Sequence, residues 1–316
     1  MTRVFVTRSL PAEWLQPLTA AGVQVEVRDG SLPAPRAELL ERVRGASALV
    51  TFIGDAVDEE LLAAAGPELK LVANFAVGYD NVDVSACAAR GVLVSNTPDV
   101  LTDATADFAF ALLLAVARRV HQAHEFVASG TWQGWEPTQL LGLELGGATL
   151  GIVGMGRIGQ AVARRGAGFG MDVVYTARSD KGVAGARWLP LDELLSTSDF
   201  VSLHCPLTPS TRGLIGAEAL ARMKPTAVLV NTARGGIVDD GALAEALRSF
   251  RLWGAGLDVF EGEPRVNPAL LGLPNVVLAP HAGSATIQAR SAMARLCVQA
   301  VLDVMAGATP PNLVRA

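Results

Sequence analysis

The stretch L-G-I-V-G-M-G-R-I-G, residues Leu150–Gly159, decides the fold of this chain. Its apolar first half predicts a buried parallel strand, and residues 154–159 fit the pattern G-x-G-x-x-G at the start of a helix. Gly154 permits a tight turn, Gly156 lets backbone amides approach a pyrophosphate, and Gly159 lets helix and strand pack closely. The helix start adds unpaired N–H groups and a positive dipole end. The predicted cofactor-binding residues here are Gly154, Met155, Gly156, Arg157, Ile158 and Gly159.

The end of the next strand bears on the choice of dinucleotide. Asp172–Thr176 ends without the acidic residue that commonly binds a ribose 2′-hydroxyl in such units. Ala177, Arg178 and Ser179 follow, with Lys181 just beyond, and we include the first three among the cofactor-binding residues. A basic cluster with a hydroxyl suits a 2′-phosphate, so we expect NADP, with NAD as the alternative. The competing interpretation is an ordinary solvated loop.

Strand and helix patterns alternate along the whole chain, which predicts an α/β protein with two doubly wound parallel sheets. The length of 316 residues suggests two domains. The N-terminal βαβα unit has no phosphate-binding glycine turn, so it is not itself a nucleotide site. We therefore predict a flavodoxin-like substrate domain over residues 1–98 and 285–316. A Rossmann dinucleotide-binding domain is predicted over residues 99–284.

Composition excludes several classes of partner. The chain is 50% hydrophobic and 18% charged, which suits buried sheets. Its formal net charge of −5 argues against nucleic acid and against an anionic membrane surface. The most apolar stretch, Phe108–Ala117, is too short to span a bilayer and is expected in the core or in a subunit interface.

Cysteine usage and the N-terminus indicate the compartment. Cys87, Cys205 and Cys297 are scattered, odd in number and not spaced as metal ligands, so no metal site is expected. The same pattern is typical of a reduced, cytoplasmic protein. Residues 3–7 predict a strand at once, where a secretory signal would carry an apolar helical segment.

Chemistry-bearing side chains follow three later strands. His281 comes after the apolar strand Val276–Leu278, at the carboxyl end where such sheets bind ligands. A lone histidine is more often structural, but this position favours a functional one. Arg234 follows the strand Ala227–Asn231 beside two glycines, where a guanidinium can grip a carboxylate with two hydrogen bonds.

Acidic and further polar residues near these strand ends leave alternatives open. Asp258, Glu261 and Glu263 follow the strand before His281, and an acid beside an imidazole would orient the ring and favour its protonated form. The spacing does not say which acid does so. His204, just before Cys205 and Pro206, either lines the cofactor crevice or only ends its strand.

With these residues in view, the chain resembles the D-2-hydroxyacid dehydrogenases over essentially its full length, and within them most resembles the glyoxylate/hydroxypyruvate reductases. Six motifs carry the resemblance in the family's order. They are N-F-A-V-G-Y-D-N-V-D at 74–83, N-T-P-D-V-L-T-D-A-T-A-D at 96–107, G-M-G-R-I-G at 154–159, N-T-A-R-G at 231–235, G-L-D-V-F-E-G-E-P at 256–264 and A-P-H-A-G-S-A-T at 279–286.

The resemblance implies roles for individual residues. It implies Arg234, Glu263 and His281 as the catalytic set, with Glu263 as the partner of His281. It also implies that the amides of Val77 and Gly78 join Arg234 in binding the substrate carboxylate. The further cofactor-binding residues implied or suggested are Pro206, Thr232, Ala233, Asp258 and Gly283. Family members are usually dimers built on the cofactor domain, so a homodimer is expected.

These features predict an enzyme that reduces a small 2-oxo acid with NADPH, the imidazole giving a proton to the developing alkoxide. Two departures narrow the resemblance. Gln139 stands where many of these reductases carry an aromatic residue that reaches the neighbouring subunit's substrate pocket, so the resemblance does not decide between glyoxylate and hydroxypyruvate. The chain also stops at Ala316, without the regulatory domain of many phosphoglycerate dehydrogenases. The alternatives are an NAD-dependent D-lactate or D-3-phosphoglycerate dehydrogenase, or a non-catalytic NAD(H)-sensing protein.

Overall fold

The chain divides into two units, each built on its own parallel sheet. The structure, a computed structural model, describes residues 2–315. The first unit runs to Leu101 and resumes at Ala285, and the second unit spans Thr102–Ser284. The sequence predicts the corresponding boundaries after residues 98 and 284.

The sheet of the first unit has five parallel strands in the flavodoxin-like order β2-β1-β3-β4-β5. The central strands β3 and β4 are buried over their whole length, as expected for apolar strands covered on both faces. The strands are β1 (Arg3–Val6), β2 (Gln24–Val27), β3 (Ala48–Thr51), β4 (Leu71–Asn74) and β5 (Leu93–Ser95).

Helices connect these strands, and side-chain caps define several of their starts. Asp58 accepts a hydrogen bond from the N–H of Leu61, and Asp83 accepts one from Ala86. A C-terminal helix, Ile287–Met305, is capped by Thr286, whose hydroxyl accepts a hydrogen bond from the N–H of Ala289. This helix packs against the helix Ala12–Ala20 and against β4. The others are α1 (Ala12–Ala20), α2 (Arg36–Arg42), α3 (Glu59–Ala65) and α4 (Val84–Ala89).

The second unit begins with a helix that is shorter than its apolar sequence suggests. The pattern predicts one helix from about residue 99 to His121, but α5 covers Thr102–Ala117 and α6 covers Val120–Ala128. Asp99 and Arg119 both adopt positive φ, 72° and 54°, a conformation that a right-handed helix cannot contain. The chain therefore turns before α5 and again between α5 and α6.

The sheet of the second unit has seven parallel strands in the order β12-β11-β10-β9-β6-β7-β8. This is the Rossmann order with one added strand, so the predicted fold class is confirmed for both units. The elements are β6 (Thr149–Val153), α7 (Arg157–Gly168), β7 (Asp172–Thr176), β8 (Ala186–Trp188), α8 (Leu191–Thr197), β9 (Phe200–Leu203), α9 (Ala217–Arg222), β10 (Val228–Asn231), α10 (Asp240–Arg248), β11 (Gly254–Leu257) and β12 (Val276–Leu278).

The apolar helix α5 belongs to the core of the second unit. It packs against α7 and against strands β10, β11 and β12. A Cβ at Gly256 would lie 2.9 Å from the Cβ of Leu112, so the glycine permits the helix to lie this close to the sheet. The stretch Phe108–Ala117 was expected in the core or in a subunit interface, and packing in the core of the second unit explains why one face of α5 is buried. Within residues 2–315, the structure contains no helix with the length and apolar character needed to cross a bilayer.

Candidate active site

The glycine-rich turn after β6 forms an open cradle at the start of α7. Gly154 adopts φ 99°, and a Cβ at Gly159 would lie 2.2 Å from the carbonyl oxygen of Gly154, so strand and helix approach as only glycine allows. Gly156 is exposed, caps the helix without a side chain, and has no atom within 4 Å of its would-be Cβ. Exposed amides at the N-terminus of a twelve-residue helix fit a dinucleotide pyrophosphate.

The end of β7 presents basic and hydroxyl groups. Arg178 and Ser179 are exposed, and Ala177 is half-buried with its carbonyl accepting a hydrogen bond from the indole of Trp188. Asp180, the acid nearest this strand end, accepts hydrogen bonds from the hydroxyl of Tyr175 and from the N–H of Gly182. These bonds lower the pKa of the Asp180 carboxyl, and the bond from Tyr175 has the largest effect. They also hold the carboxyl within its own turn.

His204 lies at the carboxyl end of β9, next to the glycine turn. A Cβ at Gly154 would lie 2.6 Å from the backbone nitrogen of Cys205, so the two strand ends touch. The Nε2 atom of His204 lies 2.8 Å from the hydroxyl of Ser202, and burial lowers the pKa of His204 to about 3. The ring is therefore neutral near pH 7, and the exposed Pro206 follows it.

The loop after β10 holds Arg234 through Asn231. The side-chain oxygen of Asn231 accepts the N–H of Ala233 at 3.0 Å, and its amide donates to the carbonyl of Arg234 at 2.8 Å. Thr232 is 8% exposed, and its hydroxyl has no partner among the described residues. A buried hydroxyl without a partner beside the candidate cofactor residues fits a polar group of a bound ligand.

Asp258 connects the loop after β11 to the loop after β12 through hydrogen bonds. It is buried, its two oxygens accept the N–H groups of Ala282 (2.6 Å) and Gly283 (2.8 Å), and its own carbonyl accepts the N–H of His281. Burial raises the pKa of the Asp258 carboxyl, while these donors and His281 act against the rise. His281 adopts φ 53°, a strained conformation that these three hydrogen bonds hold in place.

Glu263 is the acid that contacts the imidazole. Its Oε2 lies 2.8 Å from the Nδ1 of His281, and its Oε1 accepts the N–H of Phe260 at 3.0 Å. Partial burial acts to raise the pKa of Glu263, but the hydrogen bond and charge of His281, the N–H of Phe260 and the charge of Arg234 together hold it below its usual value. An ionised carboxylate only accepts, so Nδ1 carries the proton and Nε2 is left to exchange one with a ligand.

A close backbone contact joins the Arg234 and Glu263 loops. A Cβ at Gly235 would lie 1.8 Å from the carbonyl oxygen of Phe260, so the chain segments bearing the guanidinium and the carboxylate pack against each other. Of the three acids that the sequence left open, Glu263 contacts the imidazole, while the oxygens of Asp258 bind backbone amides. Within the described part of the chain, no cluster of histidine, cysteine and acidic side chains could hold a metal ion.

Val77 and Gly78 lie in the first unit, on the loop after β4. The carbonyl of Val77 accepts the side-chain amide of Asn96 at 2.8 Å, and that of Gly78 accepts the amide of Asn74 at 3.0 Å. Neither N–H donates to another residue in the range 2–315. Both residues are half-buried, and two successive backbone N–H groups without another acceptor can together bind an anion.

Comparisons with known proteins agree with this geometry. Residues 110–283 match the family model described as D-isomer specific 2-hydroxyacid dehydrogenase, NAD binding domain. A glyoxylate reductase of Thermococcus litoralis is 51% identical over 320 aligned residues, covering 99% of this chain and 96% of that protein. The chain belongs to the D-isomer specific 2-hydroxyacid dehydrogenase family.

Two solved structures are similar to this dehydrogenase over nearly its whole length. A Thermus thermophilus protein has a TM-score of 0.95 at 50% identity and covers 99% of this chain and all of its own. An NADPH-dependent glyoxylate/hydroxypyruvate reductase of Sinorhizobium meliloti, solved with NADP and malonate, has a TM-score of 0.88 at 37% identity and covers 99% of this chain and 96% of its own. The predicted family and enzyme class are confirmed. This is an NAD(P)-dependent dehydrogenase that interconverts 2-oxo and 2-hydroxy acids with a nicotinamide dinucleotide.

Three asparagines at strand ends were not among the predicted site residues. Asn74, Asn96 and Asn231 each begin one of the motifs that carry the family resemblance, and each orients the backbone of a predicted ligand-binding loop. Their recurrence at the carboxyl ends of β4, β5 and β10 is a sequence signal that could have identified them, since a side-chain amide can both donate to and accept from a neighbouring loop.

Proposed function

We propose that this dehydrogenase reduces a small 2-oxo acid, glyoxylate or hydroxypyruvate, to the corresponding 2-hydroxy acid with NADPH. The contact of Glu263 with His281 carries the proposal, together with the packing of the Glu263 loop against that of Arg234. The named activities of the Thermococcus litoralis and Sinorhizobium meliloti relatives support the substrate class.

The second unit is proposed as the dinucleotide-binding domain. The N–H of Gly154 donates to the carbonyl of Thr176, so amides among residues 155–159 would hold the pyrophosphate. Arg178 and Ser179 would hold the 2′-phosphate. Pro206, Thr232, Ala233, Asp258 and Gly283 would line the rest of the cofactor. When bound, the reduced dinucleotide supplies the hydride that goes to the carbonyl carbon of the substrate.

The first unit is proposed as the substrate domain, contributing the amides of Val77 and Gly78. Together with Arg234 they would bind the carboxylate of the 2-oxo acid, because guanidinium and backbone N–H donors both match its oxygens. His281 would give the proton on Nε2 to the carbonyl oxygen as the carbon is reduced, and take it back in the reverse direction. Glu263 keeps the ring in the tautomer and orientation that this transfer needs.

A preference for NADPH over NADH is proposed from the end of β7. An acid that bound a ribose 2′-hydroxyl would repel a 2′-phosphate, and Asp180 is held in its own turn by Tyr175. Arg178 is exposed at this strand end and can pair with the added phosphate charge.

A cytoplasmic homodimer is proposed as the state of the enzyme. None of the residues of α6 is buried in the single chain, and Val127 on α6 and Trp135 beyond it are 57% and 80% exposed. Apolar surface of this kind is typical of a subunit interface. The three cysteines are free thiols, in keeping with a reducing compartment.

The test is the rate of NADPH and NADH oxidation with a panel of 2-oxo acids. We expect the largest kcat/KM with glyoxylate or hydroxypyruvate and NADPH. A larger value with pyruvate or 3-phosphohydroxypyruvate and NADH would favour a D-lactate or D-3-phosphoglycerate dehydrogenase instead. Cofactor binding with no turnover of any acid would identify a sensor and contradict the proposal.

A further inference from the structure

The C-terminal segment of the chain pairs with the edge of the first unit's sheet. Ser95 at the end of β5 forms an antiparallel bridge with Leu313, and the N–H of Val314 donates to the carbonyl of Val94 at 2.8 Å. Asn312 is 8% exposed and faces Asn96 with both backbone and side chain. Its carbonyl accepts the N–H of Asn96 at 3.2 Å, and its side-chain amide donates to the carbonyl of Asn96 at 2.6 Å.

Residues 96 and 97 in turn hold the loop that carries Val77 and Gly78. The N–H of Thr97 donates to the carbonyl of Ala76 at 2.8 Å, and the side-chain amide of Asn96 donates to the carbonyl of Val77 at 2.8 Å. Two successive carbonyls of the loop are therefore bound by two successive residues after β5.

Because peptide groups are planar, these hydrogen bonds also determine the direction in which the N–H groups of the loop point. In a trans peptide, the carbonyl of one residue and the N–H of the next point in opposite directions. The bond from Asn96 to the Val77 carbonyl thus points the N–H of Gly78 away from β5. The bond from Thr97 to the Ala76 carbonyl does the same for the N–H of Val77.

By the same rule, Asn312 determines the orientation of the peptide between Asn96 and Thr97. Its amide binds the carbonyl of Asn96, and the N–H on the opposite side of that peptide is the one of Thr97 that reaches Ala76. Each link is a single peptide plane bound on its carbonyl side. The order is Asn312, the Asn96–Thr97 peptide, the Ala76–Val77 peptide and the N–H of Val77.

We propose that Asn96 and Asn312 are positioning residues that aim the amides of Val77 and Gly78 at the substrate carboxylate. The inference rests on the proposed function, because it takes these two amides to bind the carboxylate. Neither asparagine touches the acid in this account. Their effect is to keep both donors aligned before the acid arrives, so that binding does not have to order the loop.

Kinetics of isosteric variants test the proposal. Asn96→Asp and Asn312→Asp keep the side-chain shape, but an ionised carboxylate cannot donate to a carbonyl. Each is expected to raise KM for glyoxylate roughly tenfold to a hundredfold, the worth of a hydrogen bond to a charged group, with KM for NADPH unchanged. Asn275→Asp is the matched control, since the amide of Asn275 likewise donates to a carbonyl, that of Leu247, in the second unit. It should leave both KM values unchanged.

A second measurement reads the amides directly. Oxalate, an unreactive analogue of the acid, is titrated into the NADP-bound enzyme while the backbone NMR signals of Val77 and Gly78 are followed. Both signals should shift in the natural enzyme and need at least about tenfold more oxalate in Asn96→Asp. Asn96→Ala and Asn312→Ser remove the same donors without adding a charge, and thermal melting shows which variants are folded.

The outcomes separate the inference from the proposed function. If the natural enzyme reduces glyoxylate but neither amide signal responds to oxalate, the proposed role of Val77 and Gly78 is wrong and the inference falls with it. If both signals respond and the folded variants match the natural enzyme in KM and in oxalate response, the positioning role alone is overturned.

Discussion

The Nδ1 atom of His281 lies 2.8 Å from the Oε2 of Glu263, and the second oxygen of the same carboxylate accepts the N–H of Phe260. One acid thus fixes both the imidazole and the turn from which the acid itself projects. Gly235, next to Arg234, packs against that turn at Phe260. A displacement of Glu263 should therefore disturb ring orientation first and the Arg234 loop second.

Replacing His281 with alanine removes the proposed proton donor. We expect kcat for glyoxylate reduction to fall by about 10²–10⁴, the usual contribution of a positioned general acid, while NADPH binding measured by fluorescence is retained. Gln299→Ala, which removes an exposed side chain on the helix Ile287–Met305, is the control and should be fully active. Near-normal turnover in His281→Ala would show that another group supplies the proton.

Replacing Glu263 with glutamine should change the pH dependence of stability. Because the pKa of Glu263 is held below its usual value of 4.5 in the folded protein, its ionised form stabilises the fold above that pH, and this contribution is lost as the pH falls through the folded value. The difference in unfolding free energy between the natural enzyme and Glu263→Gln should be largest near neutrality and shrink below about pH 4.5. Denaturant unfolding at several pH values measures it. A difference that stays constant with pH would contradict the ionised pair.

Replacing Arg178 with alanine should weaken the preference for NADPH. Loss of a charged hydrogen-bond partner is expected to lower kcat/KM for NADPH by roughly tenfold to a hundredfold and to leave the value for NADH unchanged. Arg187→Ala removes an exposed arginine on β8 and serves as the control. Equal losses with both cofactors would mean that Arg178 does not contact the 2′-phosphate.

Replacing Gly159 with alanine should damage the glycine turn. The added Cβ would lie 2.2 Å from the carbonyl oxygen of Gly154, so helix and strand must separate, at a typical cost of about 1–3 kcal/mol. We expect a lower melting temperature and weaker NADPH binding. Gly168→Ala, at the other end of α7, meets no atom within 4 Å and should leave NADPH binding unchanged. An unaltered Gly159→Ala enzyme would contradict the close packing.

Local sequence patterns predicted the bounds of strands and helices where an apolar run or a capping residue indicates where the element begins and ends. The bounds of β7 and β12 agree with the prediction. The short strand β8 and the helices α8, α9 and α10 were not predicted, because β8 has only three residues and is partly exposed, and the amphipathic helices lie between stronger strand signals. The break at Arg119 depends on one backbone conformation, which no apolar pattern records.

Most of the candidate site was predicted as single residues, and few of the contacts between them were predicted. Strand ends of a parallel sheet meet at one edge, which is why Arg234 and His281 could be selected from their positions. Strand position alone left Asp258, Glu261 and Glu263 open, since all three follow the same strand. The family resemblance implied Glu263, and the structure brings its Oε2 to 2.8 Å from the Nδ1 of His281. The bond between Asn96 and Asn312 joins residues 216 positions apart, and periodicity carries no information on such pairs.

In the proposed reaction, a hydride passes from the reduced dinucleotide to a 2-oxo acid while His281, oriented by Glu263, gives the proton. The most direct measurement is isotope transfer. Glyoxylate is reduced with NADPH that carries deuterium at both hydrogen positions of the reactive ring carbon, and mass spectrometry measures deuterium in the glycolate formed. We predict glycolate with one deuterium bound to carbon, formed by the natural enzyme and at a greatly reduced rate by His281→Ala. Glycolate without deuterium, or no glycolate from the natural enzyme, would contradict this mechanism.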